Sequence, residues 1–271
     1  MVSENYSEHT WIRPLVTLRA RRGLMKKPVI LSALVFSWCT HGILVQAQDS
    51  AGLQSPRSSQ SLHKLALVSS CIGLVVLSGT QDASIRNEIV EDRFWSGYGK
   101  KGSFMEQMGG VGSLGVGGGF YLTGLLAGSE KAKKVGVLST EAWIVNGVAT
   151  SGLKFMFGRQ RPDASKGDPD RFKPFSRGNA FPSGHTSAAF TVATVVSSEY
   201  QSPWVSAASY GLAAMVGAER MVEDKHWASD VVAGAMLGYG VGEFIIYWEN
   251  RTGWSLRLYS GGKGLALERQ F

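Results

Sequence analysis

The stretch Pro182-Ser183-Gly184-His185 admits few local structures. Its first three residues read as a turn, and Thr186-Ser187-Ala188-Ala189-Phe190 begins a helical run. A turn that feeds a helix N-terminus presents unpaired N–H groups at the positive end of a dipole, which suits an anion. Gly184 lets the backbone come close to a ligand.

Two flanking groups give that turn a chemical meaning. Upstream lie Lys154 and, after six residues, Arg161-Pro162; downstream lie Arg220, His226 and Asp230. Together they supply three cations, two imidazoles and a carboxylate, an inventory that fits a tetrahedral oxyanion such as phosphate. Lys154, Arg161 and Arg220 would neutralise its oxygens, and planar guanidinium forks match phosphate geometry. His226 and Asp230 are four apart, so on one helix they would share a face. Asp230 could then bond one ring nitrogen of His226 and leave the other free to act. His185 is a second imidazole, suited to protonate a leaving oxygen.

Each piece alone has an ordinary structural reading: a helix start, solvated surface charges, a decorated helix face. The combination does not. Of the five histidines in the chain, His9 and His41 fall in an apparent leader. Of the three that are left, two lie in this constellation.

Lys154-x6-Arg161-Pro162, Pro182-Ser183-Gly184-His185 and Arg220-x5-His226-x3-Asp230 resemble the three signature motifs of the type 2 phosphatidic acid phosphatase superfamily. That superfamily also holds bacterial acid phosphatases and vanadium haloperoxidases. The resemblance implies an all-α bundle with its site at one end, His226, His185 and Asp230 as catalytic residues, and phosphate held by Lys154, Arg161, Ser183, Gly184 and Arg220. One position departs: where the family usually has Ser, sometimes Ala, this chain has Glu219. A carboxylate facing bound phosphate would repel it, so Glu219 is expected to point away.

The formal charge of +7 misleads as a guide to partners. Residues 1–47 hold Arg13, Arg19, Arg21, Arg22, Lys26 and Lys27 against Glu4 and Glu8. Without them the 28 basic and 21 acidic residues fall to 22 and 19, a net of +3. No nucleic-acid partner is expected. Residues 25–47 read as a signal peptide: Met25-Lys26-Lys27, an apolar run, then Val45-Gln46-Ala47 as a small-residue cleavage site. The alternative is an uncleaved membrane anchor. Residues 1–24 have no use in such a signal and read as an over-called N-terminal extension, with Met25 the start. Cys39 lies in the leader, which leaves Cys71 alone and no internal disulfide.

Residues 48–62 are Ser/Gln-rich and read as a flexible linker. The helical domain is expected over 63–250, and 251–271 as a tail that could form a short hairpin. Helices are expected over 65–79, 82–95, 132–157, 186–199 and 204–219, with the last from about His226 to Trp248. Residues 109–119 hold seven glycines. No strand pattern or Gly-Lys-Ser/Thr ending accompanies them, so close helix packing explains them better than a nucleotide loop. Residues 163–179 form a polar loop placed to rim the site. The pattern gives a bundle of about six helices.

Residues 107–129 and 200–218 carry no charge and are long enough to span a bilayer. Glycine dilutes the first, Gln201, Ser202 and Pro203 interrupt the second, and mean hydropathy is only −0.01. A periplasmic protein, soluble or peripherally attached to the membrane, is therefore expected, with an integral inner-membrane enzyme as the alternative.

These readings converge on a phosphohydrolase acting through a phosphohistidine, with no metal and no cofactor, because fixed cations supply the charge. The substrate is a phosphomonoester, a lipid phosphate or an isoprenyl pyrophosphate. A vanadium haloperoxidase would place vanadate in the same site, but the chain is short for that branch. A non-catalytic phosphate binder would not need two imidazoles. Nothing in the sequence bears on oligomeric state.

Overall fold

The computed structural model describes residues 69–91, 104–258 and 265–269. The expected signal, the extension before it, the linker, and residues 92–103 and 259–264 lie outside them. Nine helices are present among the described residues: α1 Ser69–Gly79, α2 Asp82–Glu91, α3 Phe104–Gly109, α4 Val111–Ala127, α5 Glu130–Phe157, α6 Pro162–Ser165, α7 Gly184–Tyr200, α8 Pro203–Val222 and α9 Ala228–Thr252. The fold is all-α. The number exceeds six because α3 and α6 are short pieces of six and four residues. A two-stranded antiparallel hairpin, β1 Trp254–Leu258 and β2 Leu265–Arg269, follows the last helix.

Local signals set the helix ends. Ser129 Oγ accepts from the Ala132 N–H and starts α5, and Gly158 in left-handed geometry ends it. Pro162 and Pro203 occupy first-turn positions of α6 and α8, where a missing N–H costs nothing. Gly253 closes α9.

α7 is the central helix, packed against α5, α8 and α9. Its buried face is rich in hydroxyls, and each finds a partner. Thr191 Oγ1 donates to Ser187 O at 2.9 Å and Thr194 Oγ1 to Phe190 O at 2.8 Å. Ser187 Oγ bonds Asn146 of α5, and Ser197 Oγ lies 2.6 Å from Ser206 Oγ of α8. Bonding to the preceding turn removes most of the cost of burying these groups.

The α7–α9 contact is close because α9 is bare where α7 crosses it. A Cβ at Gly234 would meet Ser183 O at 2.5 Å, one at Gly238 would collide with Ser187 O, and one at Gly242 would meet Thr194 Cβ at 2.7 Å. The three glycines recur every four residues along one face. In the glycine run of α4 only some positions do this work. Gly117 packs on α5, whereas Gly115, Gly118 and Gly119 face open space.

At one end of the bundle Lys134 of α5 bridges Glu199 of α7 at 2.9 Å and Glu249 of α9 at 3.1 Å. At the other end the C-termini of α5 and α8 meet the N-termini of α7 and α9. Every motif residue lies there.

Candidate active site

Lys154 sits in the last turn of α5, where a cation complements the helix dipole. Its Nζ donates to Asn179 O in the loop before α7. Burial, aided by the Arg161 charge, lowers its pKa to about 8, against the pull of Asp230. Arg161 has extended geometry, φ −68° and ψ 155°, as a residue before proline should, and it caps α6.

Ser183 caps α7 in extended geometry and is fully buried. Its Oγ lies 2.9 Å from Thr186 Oγ1, and its N–H donates to Asp230 O at 2.9 Å. The second bond fastens the start of α7 to the start of α9. A Cβ on Gly184 would sit in ordinary contact with Lys154 Cε at 3.6 Å, so α7 begins directly over the lysine stem.

His185 follows on the first turn of α7. A Cβ on Gly110 would lie 3.3 Å from its Nε2, and one on Gly109 2.8 Å from its Cβ, so the α3–α4 junction packs on this imidazole. Burial and the Arg220 charge lower its pKa to about 4. It is therefore a neutral ring at neutral pH.

His226 and Asp230 do come together, but not as two residues on one helix face. α9 starts at Ala228 with Trp227 as its N-cap, so His226 precedes the helix. Asp230 occupies the third helical position, and its Oδ2 turns back to accept from the Trp227 N–H at 2.9 Å. The same oxygen lies 3.5 Å from His226 Nδ1, longer than an ordinary hydrogen bond. His226 is buried, and burial lowers its pKa despite the opposing pull of Asp230; Lys154 and Arg161 add to the lowering. The lowering favours the neutral ring.

Three partners of this dyad escape sequence reasoning. Arg159 is 3% exposed. Its Nη1 donates to Asp230 Oδ1 and Ser229 Oγ, both at 2.7 Å, and its Nη2 to Asp82 Oδ2 at 2.7 Å. Asp82, at the start of α2, also accepts from the Ser229 N–H at 2.9 Å. The rings of Phe172 and Trp227 lie 5.0 and 5.4 Å from the guanidinium carbon. Arg159 stands inside the six-residue spacer of the first motif, and only the pairing of three buried charges reveals it.

Arg220 lies in the last turn of α8 and is 3% exposed. It is not a bare cation. Its Nη2 lies 2.7 Å from Glu223 Oε2 and 3.1 Å from Glu219 Oε2, and its Nη1 3.5 Å from Glu106 Oε1 of α3. Glu219 thus points to its neighbour's guanidinium and is buried there.

Lys154, Ser183, Gly184, His185, Arg220, His226 and Asp230 are therefore gathered at one end of the bundle, and the charges of Arg161 and Lys154 act on both or one of the imidazoles. Among the described residues no group of three or more His, Cys, Asp or Glu is arranged to hold a metal ion. The site can present cations and helix N–H groups to a tetrahedral anion, with a neutral imidazole on hand as nucleophile.

Comparison with known proteins places this region. Residues 137–254 match the PAP2 superfamily. The lipid A 1-phosphatase of Porphyromonas gingivalis is 38% identical over 129 residues, covering 45% of this chain and 26% of that protein. The chain thus spans about a quarter of the length of that curated relative. LpxE from Aquifex aeolicus aligns in structure with a TM-score of 0.44 and 23% identity, covering 61% of this chain and 94% of its own. A transmembrane PAP2-type phosphatidylglycerolphosphate phosphatase from Bacillus subtilis aligns with a TM-score of 0.44 and 16% identity, covering 67% and 95%.

Proposed function

We propose that the protein is a PAP2-type phosphohydrolase acting on lipid phosphates, a reading supported by the match of residues 137–254 to the PAP2 superfamily. The observation that carries this reading is the convergence of both imidazoles, Asp230 and the motif cations on one helix-bundle end. The similarity to a lipid A 1-phosphatase supports the choice of a lipid substrate over a small phosphomonoester.

In the proposed reaction His226 attacks phosphorus through Nε2. The P–O bond to the leaving group breaks, and His185 supplies the proton that the departing oxygen takes up. Positive charge develops on His226 as the N–P bond forms, and Asp230 stabilises it. Water then attacks phospho-His226 and releases inorganic phosphate. Lys154, Arg161, Arg220, Ser183 and the Gly184 N–H hold the equatorial oxygens. His185 must be protonated to act as an acid, so the bound phosphate dianion has to raise its pKa from about 4.

We further propose that the protein works at a membrane, on the periplasmic side. α9 is the one helix, among those described, long and apolar enough to cross a bilayer by length and composition. Large apolar side chains are exposed along several helices: Leu126 of α4, Val148 of α5, Trp204 of α8 and Tyr247 of α9. Surfaces of this kind contact other apolar material. A carbonate wash of the membrane fraction should leave the protein in the pellet.

A phosphate-release assay tests the activity. The panel holds a lipid 1-phosphate, an isoprenyl pyrophosphate and p-nitrophenyl phosphate. Turnover should be fastest on the lipid phosphate; turnover on none of the three sinks the reading.

A further inference from the structure

The Arg220 guanidinium carries more negative charge around it than it can neutralise. Two carboxylates approach one nitrogen, Glu223 at 2.7 Å and Glu219 at 3.1 Å, and Glu106 stands 3.5 Å from another. Arg220, Glu219 and Glu223 have side chains only 3–5% exposed. The second oxygens of Glu219 and Glu223 are buried with no hydrogen-bond partner. A buried, unpartnered carboxylate oxygen is costly. Two of them on one arginine are more than is needed to hold it in place.

We propose that Glu219 and Glu223 are positioning residues that clamp Arg220 and weaken its grip on a phosphoryl oxygen. The proposal rests on the phosphohydrolase reading above. Its physical basis is charge balance. An arginine facing a phosphate dianion contributes a full positive charge and two donors. Here the same guanidinium is already offset by two buried carboxylates, so bound substrate and bound product are both held less tightly. The orientation of the fork is kept, because Glu219 and Glu223 hold it from the side of α8 while Glu106 lies on α3. The gain is release of inorganic phosphate from a site that otherwise traps it.

The clamp also responds to pH. The groups that act on Glu223 are Arg220 and Glu219 of α8, Glu106 of α3 and Lys225 in the following loop. Burial raises its pKa, with Glu106 and Glu219 adding to the rise and Arg220 opposing it. Protonation of Glu223 as pH falls removes a negative charge beside Arg220 and strengthens the hold on phosphate.

The test measures binding of inorganic phosphate and of vanadate by the full chain between pH 5 and 8, with steady-state turnover of p-nitrophenyl phosphate. The variants are Glu219→Gln and Glu223→Gln, each of which keeps side-chain volume and an acceptor. Glu130→Gln, at the far end of α5, is the charge-removal control. At pH 8 each clamp variant should bind both anions roughly 3- to 10-fold more tightly than wild type. KM should fall by a similar factor with no rise in kcat, and for Glu223→Gln the gap should close toward pH 5. Glu130→Gln should match wild type throughout. Unchanged or weaker binding in both clamp variants, or a gain in Glu223→Gln that does not vary with pH, overturns the clamp. Wild-type protein that binds neither anion overturns the phosphohydrolase reading and the clamp together. Wild type that binds both while the variants do not differ overturns the clamp alone.

Discussion

Arg159 Nη1 and Asp230 Oδ1 lie 2.7 Å apart across 71 residues of chain, both all but removed from solvent. This pair joins the spacer of the first motif to the carboxylate of the third. It fixes the carboxylate that faces His226, while Asp82 holds the other side of the same guanidinium. Breaking such a pair strands a buried charge, at a cost of about 3–5 kcal/mol. Arg159→Gln should lower the urea midpoint accordingly. Under conditions where the variant is folded, kcat should drop roughly 10- to 100-fold with KM changed by less than about threefold, because Arg159 positions Asp230 and is not proposed to touch phosphate. An equal loss in KM would mean that Arg159 binds substrate directly.

The roles of the two imidazoles separate by leaving group. His226→Ala should abolish turnover and with it the covalent intermediate. His185→Ala should slow poor leaving groups most and p-nitrophenolate least, since the latter needs little protonation. Asp230→Asn should lie between them. Rapid quench with ³²P-labelled substrate reads the acid-labile, base-stable phosphoprotein. Label that forms in His226→Ala and vanishes in His185→Ala reverses the assignment.

Acid should destabilise the fold through these same histidines. Both pKa values are lowered on folding, that of His185 to about 4 from 6.5. The unfolded chain therefore binds protons below about 6.5 that the folded chain refuses. Their stabilising contribution is present above that pH and is lost as pH falls toward the folded value. For His185 alone the loss between pH 7.5 and 5.5 is on the order of 1 kcal/mol. Urea unfolding at the two pH values should show it, and His185→Gln should flatten the difference. An equal slope in the variant would remove His185 from this account.

Turnover should persist in EDTA, because Lys154, Arg161 and the partly offset Arg220 supply the positive charge that Mg²⁺ provides in many phosphoryl-transfer sites. Vanadate should inhibit, since its trigonal-bipyramidal form resembles the transition state. Robust bromide oxidation by the vanadate-loaded protein would instead favour the haloperoxidase reading. Loss of activity in EDTA with recovery in Mg²⁺ would do away with the all-cation account.

Two glycine substitutions separate packing from propensity. Gly238→Ala places a methyl group against Ser187 O and should cost about 1–3 kcal/mol as α7 and α9 are forced apart. Gly115→Ala meets nothing within 4 Å and should stabilise α4 by up to about 1 kcal/mol. Thermal denaturation of both variants checks the pair.

The sequence alone determined the helical class, the approximate helix bounds and the motif residues that the fold gathers at one end of the bundle. Those properties are local: caps, glycine and proline stops, and spacing within a motif act over a few residues. It also suggested the terminal hairpin, where weak alternation over 255–271 matches the pairing of Trp254–Leu258 with Leu265–Arg269. Only the tertiary structure decided what each charge meets. The four-residue spacing of His226 and Asp230 looked like one helix face, but the N-cap at Trp227 puts the two on opposite sides of a helix start. Asp82, 148 positions from Asp230 in sequence, and Arg159 carry no motif, yet they are the dyad's closest support. Arg220 read as a free cation and is enclosed by Glu106, Glu219 and Glu223. Pairing of buried charges depends on which helix ends meet, and that follows from side-chain packing along the whole length of α5, α7, α8 and α9 rather than from any short stretch of chain.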